Sequence, residues 1–182
     1  MTPSILARMV SVLRTRGIPS VVDVPGPLLK RAISAGPVFI KPNLVEFREF
    51  SGSNVSFIPG VLKEARRITD RVPIVCVSSV EGGALLVTQK SAWFGRTPKV
   101  KIRTTVGAGD SMVGAISARL WKWQTRTRFR GQIERMPDEV AGDLLRWGLA
   151  SACATLATYG TELGKGRAIR KIYPRVELKR VG

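Results

Sequence analysis

Between Arg103 and Ala115 the chain reads Arg-Thr-Thr-Val-Gly-Ala-Gly-Asp-Ser-Met-Val-Gly-Ala, which sets a carboxylate, Asp110, beside two glycines, Gly107 and Gly109. With no Cβ at either glycine, backbone N–H groups can converge and approach a ligand closely, and the first N–H groups of a following helix add partial positive charge. Such a nest takes an anion. A carboxylate is out of place beside it unless it accepts a proton during a reaction, so one reading of Asp110 is a general base. The other is that Asp110 N-caps the helix. Counting excludes two better-known glycine motifs: a dinucleotide-binding pattern starting at Gly107 would need glycine where Met112 stands, and no Gly-Lys-Ser/Thr follows at P-loop spacing. The nearest P-loop look-alike, Gly160 to Gly166, is one residue too short and ends in glycine.

The elements that must hold this loop can be read from periodicity. Lys99 to Thr105 is β-like, and Met112, Ile116 and Leu120 recur every four residues, which predicts a helix after the loop. Upstream, Ile5, Leu6, Met9, Val12 and Leu13 share one helical face that Gly17 ends. Ile18 to Val24 reads as a buried strand with Asp23 near its carboxyl end, Leu28 to Ser34 as a helix, and Val38 to Ile40 as the next strand, giving a βαβ unit. That strand runs into Lys41-Pro42-Asn43-Leu44-Val45-Glu46, at the strand end where open α/β sheets bind ligands. Asn43 and Glu46 share a face if a helix starts there, and two readings stay open: one oxygen from each organises Mg²⁺, or the pair is a capping box.

Further along, Arg48 to Ser56 reads as loop, Pro59 opens a helix reaching Ile68, and Ile74 to Val77 is a third buried strand. A hairpin follows, with Ala84 to Thr88 and Ser91 to Phe94 parted by Gln89-Lys90, and Pro137 starts a long helix reaching Ala154. Gly160-Thr161 ends the motif-bearing region.

Thr105 to Ala115 resembles the C-terminal signature of the PfkB family of carbohydrate kinases, which have the ribokinase-like fold, and in particular its phosphofructokinase branch. Three further stretches agree in order: Lys41 to Glu46 is similar to the family's Lys-Pro-Asn-x-x-Glu, Val75 to Leu85 to its strand and nucleotide loop, and Arg146 to Leu163 to its adenine-side helix and turn. The resemblance covers residues 5–173 and implies a three-layer α/β/α fold with a mainly parallel sheet, carried as a single domain over residues 1–182 with a basic insertion at 121–136. It implies ATP-dependent phosphorylation of a sugar-phosphate hydroxyl such as that of fructose 6-phosphate. In that scheme Asp110 is the base, and the N–H groups of Gly107, Ala108 and Gly109 hold the transferring phosphoryl group. Asn43 and Glu46 organise Mg²⁺, and Lys41, Asn43, Ser78, Gly83 and Cys153 attend the nucleotide. The family also implies K⁺ at the carbonyls of Thr104, Val106 and Thr155, although Thr158 and Glu162 depart from the phosphofructokinase pattern there. Val80 stands where the family's nucleotide loop has its first glycine, so either that turn is built differently or the loop approaches ATP less closely. The family's N-terminal strands and β lid have no counterpart in the chain, which leads to the expectations of an exposed apolar edge at Ile18 to Val24 and of activity that depends on a homo-oligomer or a complementing N-terminal chain.

Composition bounds these expectations. The 182 residues, 44% hydrophobic, suffice for a real core. The net charge of +17 would draw the protein toward polyanions, nucleic acid included, so a non-catalytic nucleotide- or polyanion-binding protein is the alternative. The basic residues concentrate in 119–135 and 165–180, without an aromatic-interleaved RNA motif or zinc-ligand set beside them. Absence of histidine removes His-based triads and His-ligated metals. Cys76 and Cys153, each in an apolar run, are expected to be buried, reduced thiols of a cytoplasmic protein. No run approaches the length of a membrane span, so no membrane partner is expected.

Overall fold

The computed structural model describes residues 2–126 and 132–182. Residues 127–131, the middle of the expected basic insertion, lie outside the described residues. The sheet is six-stranded, in the order β1 (Val21–Val22), β2 (Phe39–Ile40), β3 (Ile74–Val80), β4 (Gly83–Val87), β5 (Ala92–Arg96), β6 (Glu177–Arg180). Parallel pairing joins β1 to β2 and β2 to β3, and antiparallel pairing adds β4, β5 and β6.

The sheet separates two cores, and the strand period of two decides which residue enters which. Phe39, Ile74, Cys76, Ala84 and Leu86 face the core built with α5 (Ala108–Arg126), α6 (Asp138–Leu156) and α7 (Gly166–Ile172). Ile40, Val75, Val77, Leu85 and Val87 face the opposite core, built with α1 (Pro3–Thr15), α2 (Gly26–Ala35), α3 (Leu44–Ser51) and α4 (Ile58–Ile68). Buried on both sides, β3 and β4 read as the continuous apolar runs seen in the sequence. The three-layer α/β class expected from the sequence is the observed one.

Several elements differ from the sequence expectation, each for a local reason. Arg48 to Ser51 is helix rather than loop, because the Asn43–Glu46 box starts α3 and Gly52, at φ +69°, ends it; Arg48 then holds the following segment through Val55 O (2.6 Å) and Ser56 Oγ (2.6 Å). Lys99 to Thr105 joins no strand; its Arg103 N–H donates to Leu156 O at 2.8 Å, so the end of α6 takes the place of a sheet neighbour. Residues 121–126, assigned to the insertion, continue α5. Past Gly160-Thr161, α7 and β6 complete one core and one sheet edge.

On α1 the buried stripe is shifted from the expected face: Leu6 is buried as expected and Leu13 partly so, Val10 is buried as well, while Ile5, Met9 and Val12 point outward, about half exposed. The chain before Gly17 packs through the Leu6–Val10 stripe onto α2, so the wider apolar stripe has more residues than α2 covers. Next to it, β1 is a sheet edge with Ile18 and Val21 partly exposed, as expected for that stretch, although the strand is confined to Val21–Val22.

Candidate active site

The carboxyl ends of β1, β2 and β3 and the N-terminus of α5 meet at one place. Asp23 follows β1, and Lys41 and Asn43 follow β2; Asn43 forms a parallel bridge with Ser78 of β3, whose N–H donates to Pro42 O at 3.0 Å. Gly107 leads into α5 with φ +78°, a left-handed conformation that glycine adopts without Cβ strain. Its carbonyl accepts from Ser111 N–H at 2.9 Å, so Gly107 occupies the cap position and Asp110 lies in the first turn. This removes the N-cap reading of Asp110: among the described residues its carboxylate makes no hydrogen bond to the helix, and it is exposed at the surface. The N–H groups of Ala108, Gly109 and Asp110 precede the first intrahelical bond and have no protein acceptor among the described residues.

A cation stands beside them. Lys41 is 5% exposed, and its Nζ lies 3.4 Å from where a Cβ on Gly109 would be. It is held by Asp23 Oδ2 at 3.3 Å. Burial pushes the Asp23 carboxyl above its ordinary range; Lys41 pulls it back down, and Glu46 and Asp110 push it further up. The two latter carboxylates are therefore electrostatic neighbours of the Lys41–Asp23 pair. Cys76 lies beneath them, its thiol pushed up to about 12 chiefly by burial, with Lys41 lowering and Asp23 raising it.

The Lys-Pro-Asn-x-x-Glu stretch forms a complete capping box. Asn43 Oδ1 accepts from the N–H groups of Val45 and Glu46, both at 2.9 Å, and Glu46 Oε2 accepts from Asn43 N–H at 2.9 Å. The second carboxylate oxygen of Glu46 makes no hydrogen bond among the described residues, and no group of three or more His, Cys, Asp or Glu there is clustered to hold a metal. Asn43 Oδ1, expected to help organise the metal, is engaged twice within the box, so the free Glu46 oxygen is the one the pair offers, and it fits a cation that keeps most of its water, which is the habit of Mg²⁺.

The expected nucleotide residues separate. Ser78 is half-buried at the mouth of the site. Gly83 is buried in β4, and a Cβ there would lie 2.0 Å from Gly95 O, so close strand packing accounts for the glycine. In the turn before it Val80 stays in β3, fully buried, and takes no positive φ, while Ser79, Glu81 and Gly82 have φ angles of +63°, +46° and +75°. Ser79 forms a bulge and Glu81-Gly82 a tight hairpin turn. Cys153, expected to flank the nucleotide, has no exposed surface; it packs in the α5–α6 core, its thiol raised to about 11 by burial, and so lines no open site. Both cysteines are unpaired.

Around the expected K⁺ ring, the carbonyls of Thr104 and Val106 accept no hydrogen bond among the described residues. The Thr155 carbonyl, by contrast, accepts from Thr158 N–H at 3.0 Å and from Thr158 Oγ1 at 2.7 Å, and Thr158 Oγ1 also contacts Glu162 O at 2.5 Å. The Thr158 hydroxyl has one proton to give and reaches both carbonyls, the Glu162 one more closely, so the Thr155 carbonyl is engaged throughout only by Thr158 N–H and keeps a lone pair.

Sequence reasoning gave two groups no role here. One is Asp23, recognisable only as a carboxylate at a strand end before Pro25. The other is the Thr155 side chain: its hydroxyl pairs with Ser111 Oγ at 2.7 Å and accepts from Gly164 N–H at 2.9 Å, tying the first turn of α5 to the end of α6. No local sequence signal marks that long-range link.

Most of the chain is similar to known proteins. A family model described as "pfkB family carbohydrate kinase" matches residues 1–165. The chain is 29% identical to a 1-phosphofructokinase of Bacillus subtilis (strain 168) over 162 residues, 88% of this chain and 48% of that protein. It is 30% identical to the ATP-dependent 6-phosphofructokinase isozyme 2 of Escherichia coli (strain K12) over 171 residues, 92% of this chain and 50% of that protein. Among solved structures, phosphofructokinase-2 from Escherichia coli in complex with potassium superposes with a TM-score of 0.81 at 29% identity, over 96% of this chain and 53% of that one. The chain thus spans about half the length of the relatives it matches.

Proposed function

The chain belongs to the pfkB family of carbohydrate kinases, and from that premise we propose that it takes part in ATP-dependent phosphoryl transfer to a hydroxyl of a sugar phosphate of the fructose 6-phosphate type. The observation that carries the reading is the first turn of α5: unpartnered N–H groups at residues 108–110, the Lys41 ammonium beside Gly109, and a carboxylate with no capping duty next to both.

Phosphoryl transfer asks little covalent chemistry of a protein and much positioning. The N–H groups at the start of α5 and Lys41 neutralise charge on the transferred group, and they are fixed in place before substrate arrives, so little reorganisation is needed. Asp23 keeps Lys41 pointed at the loop. Asp110 accepts the proton of the attacking hydroxyl, which it can do because its lone pairs are not committed to the helix. Glu46, through the oxygen the capping box leaves free, would hold water around Mg²⁺, which would supply charge neutralisation to the phosphates of the nucleotide, while Asn43, its Oδ1 engaged by two N–H groups, fixes the turn that carries Glu46. Ser78 adds a hydroxyl on the nucleotide side. No step is assigned to K⁺. Two unpaired, buried thiols suit the cytoplasmic setting this reading assumes.

The test is ADP release by the purified chain with ATP and a panel of sugar phosphates, run alone and with a polypeptide supplying the relatives' other half. Sugar-dependent turnover is expected in at least one arm, and Asp110→Asn is expected to lower it by on the order of 10²-fold or more while nucleotide affinity stays within a few fold. Full turnover by the Asn variant would remove Asp110 from the chemistry.

A further inference from the structure

The charge of this chain is far larger than its site requires, and the fold gathers part of it on one face. Past residue 165, where the family match ends, α7 packs Ala168, Ile169 and Ile172 inward and leaves Arg167, Arg170 and Lys171 exposed on the other side. The extended segment before the anion loop carries Lys99, Lys101 and Arg103, all exposed. Arg175 joins the two, donating from Nη2 to Lys99 O at 3.5 Å. None of these side chains takes part in an ion pair among the described residues, whereas Lys41, Arg67, Arg119 and Arg180 do. Between Lys165 and Arg180 the only acidic residue is Glu177. Uncompensated cations on a rigid face repel one another, and a polyanion relieves that repulsion while releasing its counterions.

An aromatic group sits beside the cations. Tyr159 is 68% exposed, and the Arg103 guanidinium lies 4.1 Å from the centre of its ring. A stacked Tyr–Arg pair in a basic groove is the arrangement that receives an unpaired base next to its phosphates. Lipid fits less well, because α7 spends its apolar side on the core and offers none to a bilayer.

We propose that the outer face of α7, the Lys99–Arg103 segment and Tyr159 form a second surface that binds single-stranded nucleic acid. It stands on charge and stacking; its helix-face part lies apart from the kinase residues, whereas Tyr159 belongs to the turn that resembles the family's adenine side, so ADP release by Tyr159→Ala is read beside its strand binding.

The experiment is fluorescence anisotropy of the whole chain with a labelled single strand of about 16 nucleotides, matched to duplex, to inorganic polyphosphate of equal charge and to phosphatidylserine vesicles. Single-strand binding is expected to weaken steeply with salt. Reversal of the helix face in Arg167→Glu/Arg170→Glu/Lys171→Glu should weaken it at least tenfold at about 0.1 M salt and flatten the salt slope. The milder Arg170→Gln/Lys171→Gln, checked by its melting curve, should show the same trend should the triple variant misfold. Tyr159→Ala should cost the strand at least about fivefold and leave polyphosphate binding unchanged. Polyphosphate or vesicles bound as tightly as the strand, a Tyr159→Ala variant that binds like the parent, or indifference to neutralising α7 would overturn the proposal. ADP release measured in parallel tells failure here from failure of the kinase reading.

Discussion

The two glycine-bearing loops of this chain, 104–110 and 78–83, look alike in sequence and behave oppositely in the fold. In the first, Gly107 turns the chain into a nineteen-residue helix, and the space at Gly109 opens onto Lys41 Nζ. In the second, the positive-φ work is done by Ser79, Glu81 and Gly82, and Gly83 disappears into strand packing against Gly95 O. The element next in the chain decides the role of each glycine: a helix leaves N–H groups without partners, whereas an antiparallel strand consumes them.

Alanine at the two sites should therefore have effects of opposite kind. Gly83→Ala forces a Cβ to within 2.0 Å of a backbone oxygen, which only separation of β4 from β5 relieves, at a cost of about 3 kcal/mol. Its melting temperature should fall by roughly 6–12 °C. Gly109→Ala meets only the tip of Lys41 at ordinary contact distance and gains helix propensity, so its melting point should hold or rise slightly while phosphoryl transfer drops at least tenfold. A Gly109→Ala variant with normal transfer and lowered stability would erase the distinction.

Lys41→Met sharpens the first loop further. The Asp23 carboxyl is already raised by burial, so its contribution to stability is present below its unfolded value of 3.8 and is lost as pH rises through the folded one. Removing Lys41 takes away the group that lowers it, leaving a charge on Asp23 without its partner at neutral pH. Thermal unfolding of the variant should show a loss of about 2 kcal/mol at pH 7 that shrinks toward pH 4. A loss independent of pH would mean that Lys41 contributes packing rather than charge pairing.

Smaller still is the effect expected of Glu46→Gln, because the amide can still accept from Asn43 N–H and the capping box should survive within about 1 kcal/mol. If Glu46 also organises Mg²⁺, the concentration of Mg²⁺ needed for half-maximal transfer rises while stability barely moves. Unchanged Mg²⁺ dependence with lost stability would leave Glu46 as a cap alone.

Much of this was legible in the sequence. The apolar runs of β3 and β4 and the four-residue recurrence of Met112, Ile116 and Leu120 fix their own elements, since burial on both faces and helical spacing are local properties. The glycine turn at Gly107 and the helix start after it are legible because their signal lies in consecutive residues. The exposure of Ile5, Met9 and Val12 is not legible in the same way, because periodicity shows that a face is apolar and not which neighbour covers it. Nor can Lys99 to Thr105 be recognised as an adjunct of α6, or Thr155 as the clamp on Ser111, since those bonds link residues dozens of positions apart. Cys153 fails as a nucleotide contact because family position assigns a residue to a helix, while its face depends on how α6 rolls against α5.

The two thiols make the protein its own clock. Both are sealed in the same core, Cys76 under the Lys41–Asp23 pair and Cys153 in α6, and both are held far from the thiolate by burial, so an alkylating reagent reacts only with molecules that open. Equal labelling rates for the two would mean that the floor beneath the anion loop and the α5–α6 layer come apart as one unit. A faster Cys76 would mean that the loop floor breathes by itself, on a timescale readable in a mass spectrum without any engineered probe.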